Sequence, residues 1–319
     1  MALRHLALIG PTAVGKSAIG LEVAAALGDV EIVSLDSMQV YRGMDIGTAK
    51  PSADEQARVP HHLIDVADPG EEWSVARTQA AARTVVAEIE ARGRRALLLG
   101  GTGLYVQAVV DRLELPGEDL TVRAELEART SKPGGVAAAY GELQRLDPTA
   151  ASRIDEHNQR RIVRALEVIA VTGRPFSSFG GGMAQFGPTA FPVDQVGVWV
   201  PRSVSGLRIA ARVQEMRAAG FEAEVRRLAA AGPLSRTAAQ AIGYRELLAE
   251  VEARPARGDL HGGPVAVEDG VFDLIVRRTR SFARRQRMWF RRDPRVTWLA
   301  AVENPIALTP VLLARWRSS

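Results

Sequence analysis

Apolar residues in this chain are arranged in two patterns. Short, mostly apolar runs occur at Leu6-Ala7-Leu8-Ile9, Glu31-Ile32-Val33-Ser34-Leu35, Arg95-Ala96-Leu97-Leu98-Leu99 and Val196-Gly197-Val198-Trp199-Val200. Elsewhere apolar positions recur every three or four residues, as at Ile19, Val23 and Leu27 and again through residues 75–91, where Ser74 is a candidate N-cap and Gly93 a stop. Runs of the first kind read as buried strands and the second as amphipathic helices, and their alternation predicts an α/β core with a parallel sheet. Leu63 to Val66 reads as one more short strand.

From about Leu113 the texture changes. Pro116-Gly117 breaks the pattern, residues 121–173 are helical in character with breaks at Pro133-Gly134-Gly135 and Asp147-Pro148, and the Gly180-Gly181-Gly182 region returns the chain to strand-like sequence by about Pro192. Helices inserted between two pieces of an α/β core explain this order, which divides the chain into 1–117, an all-helical insertion at 118–192, and 193–319. In the last part, Ser203 is placed to cap a helix reaching Gly220, Ala241 to Glu246 opens another, 258–270 reads as a Gly-rich loop, and Val271 to Arg292 is a long helix. Val296 to Leu299 then reads as an edge strand and Pro305 to Trp316 as a closing helix.

The first strand runs into Gly10-Pro11-Thr12-Ala13-Val14-Gly15-Lys16-Ser17 and then a helix, which is the strand, loop and helix order of a P-loop. The fold expected is therefore a P-loop NTPase-like parallel sheet with an inserted helical domain. The glycines let successive N–H groups converge on an anion, and the helix adds its positive N-terminal end. Lys16 supplies a mobile charge, and the Ser17 hydroxyl can ligate Mg²⁺. Such a loop recognises a diphosphate without reading what it is attached to.

The second strand ends at Asp36, which a parallel sheet brings towards the P-loop. A carboxylate there can hold Mg²⁺ through water, accept a proton from a nucleophile, or cap the next turn. Residues 37–51 lack periodicity, as a substrate-handling loop does. The adjacent His61 and His62 point to opposite sides of an extended segment, so a shared metal is not expected and both read as structural or hydrogen-bonding residues. The strand at 95–99 runs into Gly100-Gly101-Thr102 rather than a Walker-B Asp, which disfavours a hydrolytic motor and suggests a hydroxyl at the reacting centre.

Arginines cluster in two places. Arg160, Arg161 and Arg164 lie beside Ile162, Leu166 and Ile169, a pattern that suits either phosphate contacts or a solvated helix face. In the long helix, Phe272, Ile275, Thr279, Phe282, Gln286 and Trp289 form one stripe and Arg277, Arg280, Arg284, Arg287 and Arg291 another, on nearly opposite sides. Acids are nearly absent between Asp273 and Asp293, so the second stripe reads as a rail for a polyanionic backbone. The overall balance, net +4, says less than this distribution. With 46% hydrophobic and 24% charged residues the chain is an ordinary globular sequence. It has no run of membrane-spanning length, and the first strand leaves no room for a signal peptide, so a cytoplasmic protein is expected. The lack of Cys removes disulfides, thiolate zinc sites and Cys nucleophiles together.

GPTAVGKS at 10–17, LDSMQVYRGMDIGTAKP at 35–51, PHHLIDV at 60–66, GGTGLY at 100–105, RRIVRALEV at 160–168, the Arg208/Arg212 helix, IGYRE at 242–246 and RRQRMWFRR at 284–292 closely resemble the bacterial tRNA isopentenyltransferase (tRNA dimethylallyltransferase) family, in the family's order over nearly the whole chain. Ser17 stands where the family often has Thr, and either supplies the hydroxyl. The resemblance implies that Gly10, Pro11, Thr12, Ala13, Val14, Gly15, Lys16 and Ser17 bind dimethylallyl diphosphate with Mg²⁺, rather than ATP. It implies that the acceptor is N6 of the adenosine 3′ of the anticodon, flipped into a channel of the enzyme. Asp36 would be the general base, and Thr102 and Arg212 would bind and stabilise the departing diphosphate. Ser37, Met38 and Gln39 would line the adenine, and Asp36 and Thr102 would contact the tRNA as well. Arg123, Arg160, Arg161, Arg164, Arg284, Arg285, Gln286, Arg287 and Arg291 would hold the anticodon stem-loop. A monomer without an obligate protein partner is expected. The rival readings are an adenine-nucleotide prenyltransferase, an ATP-dependent P-loop kinase, and an RNA-binding nucleotide switch.

Overall fold

The computed structural model describes residues 4–179, 186–253, 269–301 and 303–317. Six strands, β1 His5–Ile9, β2 Val30–Ser34, β3 His61–His62, β4 Arg95–Gly100, β5 Val193–Trp199 and β6 Thr297–Ala300, form one sheet in the order β3-β2-β4-β1-β5-β6. Every pairing is parallel, so the carboxyl ends of all the strands open on the same edge. β1 is central, between β4 and β5, and carries the P-loop at that edge.

Alternation along β1 divides the core between the two sheet faces. Leu6 and Leu8 join Ile19 and Val23 of the Lys16–Leu27 helix and Leu312 and Trp316 near the C-terminus, while Ala7 and Ile9 join Val86 and Ile89 of the Val75–Ala91 helix and Val106 and Val109. A third cluster packs Tyr41 and Met44 against Phe221, Tyr244, Phe272 and Ile275. The irregular 37–51 segment is therefore anchored from beneath by core side chains, which suits a loop that must hold its shape.

By its internal packing the chain forms two compact units, residues 1–110 with 189–319, and residues 111–188. The second unit is helical, with its own core of Leu126, Leu143, Ile154, Ile162 and Leu166. Among the described residues no helix is long and apolar enough to cross a membrane.

Several local expectations shift. The short strand expected at Leu63 to Val66 is instead the His61–His62 pair, because Leu63 and Asp65 take positive φ values of 62° and 56° and turn the chain out of the sheet. Pro201, not Ser203, occupies the N-cap of the Arg202–Ala218 helix, its ring fixing φ (−53°) while ψ, at 149°, is non-helical as a cap requires. The helix expected from Ala241 begins at Tyr244, after Gly243 at φ 95°. Asp269–Phe290 is the long helix. Most of the loop expected at 258–270, and the triple glycine at 180–182, lie outside the described residues.

Candidate active site

The P-loop folds on its glycines. Gly10 has φ 144°, and a Cβ there would sit 2.4 Å from the Val198 carbonyl oxygen; Gly15 has φ 95° and caps the Lys16–Leu27 helix. Lys16 Nζ donates to the Pro11 carbonyl at 2.5 Å. Enclosure by protein, with Arg212 adding like charge, pulls the Lys16 pKa down to about 7 although Asp36 opposes the shift. Burial likewise lowers Arg212, against Glu215 and Asp36.

These groups line a cavity of about 600 Å³ with Thr12, Gly15, Ser17, Asp36, Gln39, Gly101 and Arg208. Arg208 and Arg212, one turn apart on the Arg202–Ala218 helix, both face it. A second, more apolar cavity of about 230 Å³ adjoins it and shares Thr12, Asp36, Thr48, Ala49, Arg212 and Phe282. Its walls add Ser37, Met38, Thr102, Ile209, Val213, Met216 and Ile275. Asp36 and Arg212 thus stand where a cationic compartment meets a more apolar one, and Thr102 lines the apolar side.

Asp36 also performs the local role that its position allowed. Its Oδ1 accepts from the N–H groups of Met38 at 2.8 Å and Gln39 at 3.3 Å, so one carboxylate both shapes the turn and faces the cavity. Gln39 is a brace: the Ser34 hydroxyl donates to its Oε1, and its Nε2 donates to the Thr48 and Ala49 carbonyls, each at 3.3 Å. His62 bonds the Glu31 carboxylate, whereas His61, held by the Val59 carbonyl, also lines the first cavity.

Sequence patterning missed Glu224. It is 2% exposed, and its carboxylate accepts from the backbone N–H groups of Asp45, Ile46 and Gly47 and from the Tyr244 hydroxyl at 2.5 Å. Three amides and a phenol satisfy a buried charge that has no cation partner in this set, and they fix the loop that supplies Thr48 and Ala49 to both cavities. An acid in the amphipathic Phe221–Ala231 helix carried no signal of this, because the backbone groups it binds lie about 180 residues away.

The RNA-binding candidates separate into two sets. Arg160, Arg161, Arg277, Arg284, Arg285 and Arg291 are exposed. Arg123 instead forks onto buried Glu167 at 2.9–3.1 Å, and Arg164 bonds Glu167 and the Pro116 and Gly117 carbonyls, so both hold the helical unit together. Arg287 stacks 5.5 Å from the Trp199 ring centroid and reaches the Val200 carbonyl, and Arg280 bonds the Gly206 carbonyl. Gln286 does not join the arginines: it is 6% exposed, on the opposite side of the helix, against the P-loop.

Residues 39–293 match the family model described as IPP transferase. The chain belongs to the IPP transferase family. Curated tRNA dimethylallyltransferases of Kineococcus radiotolerans and Salinispora tropica are each 47% identical to it; the first alignment covers 97% of this chain and 94% of the relative, the second 97% and 92%. The crystal structure of full-length tRNA isopentenylpyrophosphate transferase from Bacillus halodurans is 36% identical with a TM-score of 0.67, covering 99% of this chain and 97% of that one. A eukaryotic dimethylallyltransferase, 22% identical with a TM-score of 0.76 and covering 95% of this chain and 75% of its own, shares the fold. This IPP transferase accordingly places its P-loop, Asp36 and Thr102 at the carboxyl ends of adjacent parallel strands, the usual ligand edge of such sheets.

Proposed function

We propose that the protein transfers the dimethylallyl group of dimethylallyl diphosphate to N6 of the adenosine 3′ of the anticodon in certain tRNAs, giving N6-isopentenyladenosine and diphosphate. The observation that carries this reading is the meeting of the two cavities at Asp36, Thr12 and Arg212. The diphosphate belongs in the cationic compartment, and the five-carbon chain and the adenine suit the apolar one. N6 attacks the allylic C1, the C1–O bond breaks, the electron pair leaves with the diphosphate, and the N6 proton passes to Asp36. An exocyclic adenine amine is barely basic, so a carboxylate matters as positive charge develops on nitrogen. Lys16, Arg212, the Thr102 hydroxyl and the loop amides stabilise the charge gathering on the leaving group.

Among the described residues no cluster of three His, Asp or Glu side chains is arranged to hold a metal. Mg²⁺ is commonly held by substrate phosphates and a few protein oxygens with water completing its shell, and the Ser17 hydroxyl on the cavity wall is a protein oxygen that could ligate it there. Bound there, the ion would neutralise diphosphate charge. Arg160, Arg161 and the exposed arginines of the long helix are assigned to the anticodon stem-loop. An adenine mononucleotide has no need of such a rail, and β4 ends in glycine instead of the acidic residue common in P-loop kinases.

Unmodified tRNA incubated with the protein, Mg²⁺ and either dimethylallyl diphosphate or ATP, then digested and analysed by mass spectrometry, tests the assignment. Prenylated adenosine should form only with the allylic donor and only on tRNA. Product on free AMP, or ATP consumption without prenylation, would replace this reading by one of its rivals.

The lowered Lys16 pKa gives a further expectation. An anionic diphosphate favours the ammonium form, so binding above about pH 7 must take up a proton. Affinity for inorganic diphosphate should therefore fall by up to about tenfold per pH unit above that point and level off below it. Calorimetry between about pH 6 and 8.5 in two buffers of different ionisation enthalpy reads the proton directly, and the Lys16→Met profile separates the ligand's own titration. Identical proton uptake in both proteins would remove Lys16 from the linkage.

A further inference from the structure

Gln286 lies on the long helix whose other side carries the exposed arginines, yet its amide reaches two loops of the donor site. Its Oε1 accepts from the Thr12 N–H at 2.9 Å, and its Nε2 donates to the Gly101 carbonyl at 2.7 Å. The two contacts span 274 and 185 residues of sequence. The space is made for it: a Cβ on Gly101 would stand 2.8 Å from Nε2. One turn of chain further on, Trp289 fills the position a Cβ on Gly103 would take, at 2.1 Å, where the Gly103–Val110 helix starts immediately after Thr102.

The consequence for the site is specific. A P-loop amide ordinarily points at the phosphate, but here the Thr12 N–H is committed to Gln286. Thr12 is thereby fixed with its hydroxyl towards Arg212, whose Nη1 lies 3.5 Å away. The same amide holds Gly101, the neighbour of Thr102. Donor and acceptor ends of one side chain are both used, so neither Glu nor Met at this position reproduces both bonds.

We propose that Gln286 is a positioning residue of the donor site, locking the P-loop to the Thr102 turn so that Thr12, Arg212 and Thr102 converge on the diphosphate, and that it makes no contact with RNA. This rests on the prenyl-transfer reading for its kinetic consequences, but the binding of inorganic diphosphate tests it independently of turnover.

Two variants are informative. Gln286→Glu keeps an acceptor for Thr12 but sets a carboxylate oxygen against the Gly101 carbonyl; Gln286→Met keeps the length and loses both bonds. Thermal melts establish that each is folded, and Gln286→Glu, the closer isostere, serves if Gln286→Met is not. The expected result is inorganic diphosphate binding weakened about tenfold or more, a raised KM for dimethylallyl diphosphate and a lowered single-turnover rate, with tRNA affinity and its salt dependence within about twofold of wild type. A purely structural side chain would leave diphosphate binding by the folded variants unchanged. Weakened tRNA binding with a shallower salt dependence and normal diphosphate affinity would overturn the proposal and return Gln286 to the RNA surface. If wild-type protein binds diphosphate but does not prenylate tRNA, the functional reading fails while the diphosphate arm still decides the role of Gln286.

Discussion

Asp36→Asn should reduce the rate of prenyl transfer by about 10²–10⁴-fold, the range associated with loss of a positioned general base, while tRNA affinity stays within about twofold. The substitution is chosen from the geometry. Asp36 Oδ1 accepts the Met38 and Gln39 N–H groups, and an Asn side chain oxygen can keep both bonds, so the turn survives and only the proton acceptor is lost. Asp36→Ala removes the turn as well and should show an additional loss of adenine positioning, visible as a raised KM for tRNA. Single-turnover rates at saturating tRNA and donor, measured for both variants, separate the two roles. Equal rates for wild type and Asp36→Asn would mean that N6 loses its proton to another acceptor and that Asp36 is a turn-former alone.

What could be read from the sequence was what local pattern determines. The strand of Leu6 to Ile9, the P-loop behind it, the Ser74-capped helix and the approach of Asp36 to Lys16 follow from periodicity, caps and the geometry of parallel strands, and the structure has each of them. The misplaced short strand at 63–66 shows the limit of periodicity: an apolar pattern cannot reveal that Leu63 and Asp65 adopt left-handed backbone. Arg164 and Glu167, three residues apart on one helix, have an ion-pair spacing, a signal that the reading of these arginines as either phosphate ligands or a solvated face left unused. Arg123, 44 residues from Glu167, carried no such signal. Glu224 and Gln286 are the same problem at longer range. Each is polar, each falls on a helix face that packs, and each is accounted for only when the distant backbone groups it satisfies are known.

Replacing Arg277, Arg284 and Arg291 together by Glu should weaken tRNA binding by roughly a hundredfold or more near 0.1 M salt and flatten the dependence of log affinity on log salt by about 2 to 3 units, since each phosphate contact releases close to one counterion. These three are chosen because they are exposed and have no ion-pair or hydrogen-bond partner for their side chains among the described residues, so their charge is available and their loss leaves the fold intact. Arg280 and Arg287 are left in place, being tied to the Gly206 and Val200 carbonyls. Inorganic diphosphate binding should be unchanged, because the P-loop cavity is lined by other residues. The triple variant thus complements Asp36→Asn: one loses the RNA and keeps the donor site, the other keeps the RNA and loses the proton acceptor. Filter binding across a salt series reads the effect directly. Unaltered affinity and slope would make the arginine stripe a solvated helix face and move the RNA surface to Arg160 and Arg161, where the same substitution and the same salt series would then locate it.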